Sequence, residues 1–339
     1  MLLLFSALLF SLMLTELYLQ VSGAYKTQIE KDTGFYRSPY ITTDKTWYHT
    51  WPTVNKEHWL QKPEFRFWRP TNSMGLPDVE WPKAKPQGQL RIMALGDSFT
   101  EGDGAAFDSS YVAFLKRKLN DSGHAAYLMN AGVCGSDPFN NYILLKDSLL
   151  AYKPDIVIQV IETNDINTDI ILRGGMERFQ KTGHTQFHAP PWWEPIYAIS
   201  YISRLFFEAA GYNELLLKSA ITPQQQQTLN DETVDLFKHY NTLCNENHIQ
   251  LYIVLLPCKD EVEQNKYDYD FTDIINRLKT DNQAEVLDLL PCYKKYIAQS
   301  HTAPGQYYWT IDGHHNALGY HMMAGCIYDY ILPAVNSKI

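Results

Sequence analysis

The chain has 339 residues, 45% of them hydrophobic and 20% charged, a balance that supports a buried core and excludes a disordered polyelectrolyte. Its 29 basic and 38 acidic residues leave a net charge of −9, with no clustered basic face, which argues against a nucleic-acid partner. The length fits one large α/β domain with extensions, or two modest domains.

The first 14 residues (MLLLFSALLFSLML) are apolar apart from Ser6 and Ser11, and Glu16 follows. Counted to Val21, a helix here would rise ~31 Å, about the thickness of a bilayer core. No Lys or Arg precedes the run, yet Val21-Ser22-Gly23-Ala24 offers a small-residue cleavage site. Residues 1–21 therefore read as an export segment, either a retained membrane anchor or a cleaved signal, with a core helix as the alternative. The protein is expected to be exported: membrane-anchored, secreted or periplasmic.

Residues 25–88 form a Trp-rich arm without helical period, expected to be irregular, partly β and packed on the main domain; Lys83–Gly88 reads as the linker. From residue 89 to 335 strands and helices alternate. Expected strands are Leu90–Leu95, Ala126–Asn130, Asp155–Ile161, Ile249–Leu256 and Glu285–Leu290. Expected helices are Tyr111–Asn120, Tyr142–Tyr152, Pro223–Asn247 capped by Thr222, and Asn316–Ile331. That alternation implies a layered α/β domain with a mainly parallel sheet. An insertion at about 172–221, carrying His184, His188, Trp192 and Trp193, reads as a lid or pocket wall.

The five cysteines (Cys134, Cys244, Cys258, Cys292 and Cys326) include no CxxC pair, so neither a zinc ribbon nor a disulfide framework is indicated. Cys258 and Cys292 each follow Leu-Leu-Pro at a predicted strand end; they pair if those strands are neighbours and are otherwise buried thiols. His184 and His188 lack a third ligand. Asp165, Asn167 and Asp169 open like a calcium loop but lack its glycine and closing Glu. Neither a metal nor a cofactor is expected.

Ligands of open α/β sheets bind beyond the carboxyl ends of the strands. The first strand is followed there by Gly96-Asp97-Ser98-Phe99, a tight turn suited to a serine nucleophile. The second leads to Gly135, whose N–H is unobstructed, and the third to Glu162-Thr163-Asn164-Asp165, where the Asn164 amide is a further donor. Asp312-Gly313-His314-His315 precedes the last helix, and a carboxylate three residues before an imidazole can orient it as a base, which favours His315 over His314.

These four segments, in this order, resemble the SGNH (GDSL-type) hydrolase superfamily, and the preceding Asn72-Ser73-Met74-Gly75-Leu76 with the hydrophobic start resembles its exported or membrane-anchored bacterial members. The likeness runs from Leu90 to Ile331. It implies a three-layer, flavodoxin-like fold with a five-stranded sheet. It also implies a Ser98–Asp312–His315 triad and an oxyanion hole from Ser98, Gly135 and Asn164. The activity implied is that of a serine esterase or acylhydrolase, with a small ester, an O-acetylated glycan or a lipid as substrate. Glycan O-acyltransfer and catalytically weak glycan binding are the alternatives. One position departs from the pattern: Glu162 stands where the third block usually has glycine.

Overall fold

The computed structural model describes residues 2–26, 30, 57–163, 165–170, 174–179, 191–212, 215, 223–267, 271–280 and 284–338. They fall into two units, one of Met1–Lys45 with Ile171–Leu229 and the other of Thr46–Ile170 with Asn230–Ile339.

In the first unit, α1 (Leu2–Ser22) exposes its leucines and phenylalanines along most of its length. It is the helix, among the described residues, that is long and apolar enough to cross a bilayer. Its one acid, Glu16, has a partner. The Glu16 carboxylate accepts the backbone N–H groups of Tyr201 (2.7 Å) and Ile202 (2.9 Å) and the Ser200 hydroxyl (3.1 Å). Two helices of the expected insertion, Glu194–Ile199 and Tyr201–Ala209, lie in this unit. Buried Arg204 pairs there with Glu30 at 2.7 Å.

The second unit opens with a hairpin, β1 (Glu57–Gln61) against β2 (Arg66–Pro70), with Trp59 opposite Trp68. The five strands that follow are β3 (Leu90–Gly96), β4 (Ala126–Gly132), β5 (Ile156–Glu162), β6 (Gln250–Leu256) and β7 (Glu285–Asp288). They form one parallel sheet in the order β4-β3-β5-β6-β7. This is the expected flavodoxin-like order, whose reversal at β3 opens a crevice above the strand ends. Every residue of β3 and β5 is buried, as parallel strands covered on both faces require.

The helices in chain order are α2 (Ser98–Glu101), α3 (Tyr111–Asp121), α4 (Pro138–Asp147), α5 (Glu194–Ile199), α6 (Tyr201–Ala209), α7 (Pro223–Glu246), α8 (Lys259–Gln264), α9 (Thr272–Thr280), α10 (Leu289–Ser300) and α11 (Ala317–Lys338). Alternate strand residues (Ile92, Ala94, Ile158, Val160, Val254) share one core with Leu115 of α3, Tyr293 of α10 and Ile327 of α11. On the opposite face the Tyr240 hydroxyl of α7 donates to Gln159 of β5 at 2.7 Å, so helices cover both sides of the sheet.

Two expectations change at the last strand. β7 stops at Asp288, whose carboxylate caps α10 by accepting the Leu290 N–H at 3.0 Å. Pro291 then occupies the first helical turn, where no N–H is needed, so Leu-Leu-Pro-Cys here is helix rather than strand end. Cys292 accordingly faces α11 and forms a disulfide with Cys326, the Cα atoms 6.1 Å apart. Of the two readings left open for Cys258 and Cys292, neither holds for Cys292, which pairs with Cys326, while Cys258 remains a thiol. Cys258 is a free thiol that starts α8, its N–H donating to Glu261 at 2.8 Å.

The linker at Lys83–Gly88 is exposed yet pinned. Buried Arg91 donates to the carbonyls of Pro82 (2.7 Å) and Ala84 (2.6 Å) from one end of its guanidinium and to that of Tyr152 (2.5 Å) from the other.

Candidate active site

The turn after β3 is built to hold Ser98. The Asp97 carboxylate accepts the Phe99 N–H at 2.9 Å, and Gly102 closes α2 in the left-handed region at φ 96°. Gly132, ending β4, lies so close beneath that a Cβ there would stand 2.1 Å from the Glu101 nitrogen. Ser98 thus rests on the ends of two adjacent strands.

Ser98 Oγ lies 2.7 Å from Nε2 of His314, and Nδ1 of His314 lies 2.5 Å from Oδ1 of Asp312. With Nδ1–H donated to the carboxylate, Nε2 is left to accept the serine proton. The Phe99 ring covers the imidazole, 4.7 Å between centroids.

The expected base was His315, and here the structure corrects the sequence reading. The chain forms a short antiparallel bridge, Tyr308 against His315, so consecutive residues face opposite ways. His314 turns to the cleft and His315 into the core. His315 is fully buried among Tyr308, Phe99 and Tyr320, and its Nε2 lies 3.0 Å from the Tyr293 hydroxyl. Gly313, left-handed at φ 84°, folds the loop so that Asp312 reaches an imidazole two residues on instead of three.

Charge separates the two histidines further. Burial would lower the pKa of His314, but the Asp312 hydrogen bond and the carboxylates of Asp103, Asp312 and Asp97 outweigh it and raise the value. Asp312 is held below the usual carboxylate range: burial opposes this, but the His314 hydrogen bond and charge and the Lys62 ammonium prevail. Burial pushes His315 down to about 3, so it stays neutral.

Ser98, Asp312 and His314 line one cleft with Gly135 and Glu162. Gly135 is left-handed at φ 69°, a conformation open to glycine. Asn164 lies outside the described residues, as do His184 and His188. Its neighbours are fixed: the Glu162 N–H donates to Asp165 (2.9 Å) and the Thr163 hydroxyl to Glu261 (2.6 Å). Glu162, the departure from the family pattern, is buried at 3% exposure and faces the cleft.

Residues 94–322 match the model of the GDSL-like Lipase/Acylhydrolase family. The chain belongs to this family. No curated protein matches it. Among solved structures, a two-domain esterase active on acetylated mannans aligns at 13% identity and TM-score 0.45 over 73% of this chain and 49% of its own. The GDSL-like chain therefore spans about half the length of that enzyme. The acetyl xylan esterase AlAXEase aligns at 15% identity and TM-score 0.45 over 71% of this chain and 100% of its own. The lipase/acylhydrolase from Enterococcus faecalis does so at 16% identity and TM-score 0.43, over 72% and 96%.

Three residues around the site were missed in the sequence: Lys62, Glu64 and Arg69, all on the β1–β2 hairpin. Lys62 Nζ stands 3.4 Å from Oδ2 of Asp312. The Glu64 carboxylate accepts the N–H groups of Thr310 (3.0 Å), Ile311 (2.7 Å) and Asp312 (2.8 Å). Arg69 is buried between Glu101 and Asp103, 2.7 Å from the latter. Their partners are about 30 to 250 residues away, so no local spacing exposes them; a charged run inside an aromatic arm was the available hint.

Proposed function

We propose that this chain is a serine esterase that works through an acyl-enzyme, with Ser98 as nucleophile, His314 as base and Asp312 as its orienting carboxylate. The single observation that carries the reading is the continuous relay from Ser98 Oγ through His314 to Asp312 at 2.7 and 2.5 Å. His314 takes the Ser98 proton as Oγ bonds to the ester carbonyl carbon. The negative oxygen is received by the N–H groups of Ser98 and Gly135 and the amide of Asn164. His314 then passes its proton to the leaving alcohol as the C–O bond breaks, and a water activated the same way releases the acid.

The preferred substrate is a short acyl ester on a neutral polyol such as a glycan. Among the described residues lining the cleft are five acids, Asp97, Glu162, Asp165, Asp260 and Asp312, beside one lysine, Lys259, with Phe99 and Ile311 as the sizeable apolar side chains. A long acyl chain needs a continuous apolar wall, and an anionic headgroup would be repelled. Export is supported by the Cys292–Cys326 disulfide, since such bonds persist in oxidising compartments, and by the apolar length of α1 as a membrane anchor.

The test joins a fluorophosphonate probe to p-nitrophenyl esters of increasing chain length. Wild type should label and Ser98→Ala should not; Asn164→Ala should keep its fold and lose roughly 10²–10³ in kcat. Acetyl should be preferred to octanoyl. A wild-type chain that neither labels nor hydrolyses would overturn the esterase reading. Octanoyl preference would overturn the short-acyl assignment, and acylated glycan formed without free acid would make it a transferase.

A further inference from the structure

The β1–β2 hairpin lies outside the matched family segment, yet its turn meets the catalytic loops at three points. Its Phe65 ring packs on Trp309, 5.3 Å between centroids, at the start of the loop that carries Asp312 and His314. Glu64, in the same turn, gathers three consecutive N–H groups of that loop into one carboxylate. Lys62, closing the turn through its N–H to the Phe65 carbonyl at 2.9 Å, sets an ammonium beside the Asp312 oxygen that His314 does not use. From β2, Arg69 binds Glu101, whose other oxygen accepts the Cys134 N–H next to Gly135.

We infer that the hairpin is a positioning element of the Ser98 site: Glu64 fixes the backbone of the acid–base loop, and Lys62 sets the charge that Asp312 exerts on His314. The inference rests on the esterase reading above. It follows from elementary electrostatics. A bare carboxylate beside an imidazole favours imidazolium, the form that cannot take the Ser98 proton. A cation on the far side of that carboxylate offsets part of its field and keeps more of the base neutral at a given pH. The other cation near this cluster, Arg69, is paired with Glu101 and Asp103 rather than with Asp312. Asp97 and Asp103, on the Ser98 turn, add negative charge, and His315 is neutral. Lys62 itself faces Asp103, Asp312 and Cys134.

The decisive measurement is the pH dependence of kcat/KM for p-nitrophenyl acetate in wild type, Lys62→Met and Lys62→Arg, at low salt. Wild type should lose activity on the acid side as His314 protonates, with its midpoint above the ordinary histidine value of about 6.5. Lys62→Met should move that limb upward by roughly half a pH unit, a loss of about threefold on the acid side, and Lys62→Arg should restore it. A purely structural lysine would lower the melting temperature and leave the limb in place. Glu64→Ala should lower kcat about tenfold at unchanged KM, with Glu64→Gln, whose single amide oxygen can still accept from Ile311 and Asp312, recovering part of it. Coincident acid limbs in wild type and Lys62→Met, with fluorophosphonate labelling intact, overturn the inference alone. A wild type that neither labels nor hydrolyses overturns the esterase reading and this inference together. The His314 ring-proton shift by NMR reports the same midpoint without turnover.

Discussion

Two adjacent imidazoles sit within one loop and hold opposite protonation preferences. His314 is raised by its carboxylate neighbours and His315 is pushed down to about 3 by burial. For His315 the consequence is one of stability. Between pH 6.5 and about 3 the unfolded chain binds a proton that the folded chain refuses, so stability is complete above 6.5 and declines as the pH falls through that window. His315→Asn should lower the melting temperature at neutral pH, yet flatten its pH dependence between 6.5 and 4. Parallel melting curves for both proteins across that range would contradict it. The same pair marks where sequence reading stops. Residue types and spacing located the loop, but an Asp-x-x-His count assumes an extended or helical path. A left-handed Gly313 and a bridge at Tyr308–His315 decide which imidazole turns outward, and neither is encoded in spacing.

At the scale of elements, the strands were legible because burial on both faces demands nearly continuous apolar runs such as Ile-Val-Ile-Gln-Val-Ile in β5. Helix α10 was not, because Leu-Leu-Pro-Cys suits a strand end as well as a first helical turn, and only the cap at Asp288 separates them. Placing Cys292 on that helix brings it to Cys326 across 34 residues of chain. Closing a loop of that size removes unfolded-state entropy equivalent to about 4 kcal/mol. A Cys292→Ala, Cys326→Ala double variant should therefore lose stability of that order in urea, and wild type should approach it when reductant is added. Equal midpoints for both proteins would remove the bond from any account of the fold. The hairpin was legible as partly β, but its bearing on the site was not: ion pairs between distant segments leave no periodic trace.

At the scale of the whole molecule, the sequence divided the chain into an apolar start, an aromatic arm and an α/β body with an insertion. The structure groups the apolar start with the insertion in one unit and the β1–β2 hairpin with the body in the other. Those groupings join segments far apart in the chain, which hydrophobic periodicity does not report. Glu16 gives the first grouping a biochemical meaning. Its carboxylate supplies the acceptors for the opening amides of α6, a role normally filled by a residue next to the helix itself. Leader-peptidase processing after Ala24 would discard that acceptor and strip the amides bare. Limited proteolysis should accordingly find residues 191–212 cut faster in a chain lacking residues 1–24 than in the intact one, whereas equal rates would make the contact dispensable. The apolar start thus carries, besides its length and hydrophobicity, the carboxylate that closes the first turn of another helix.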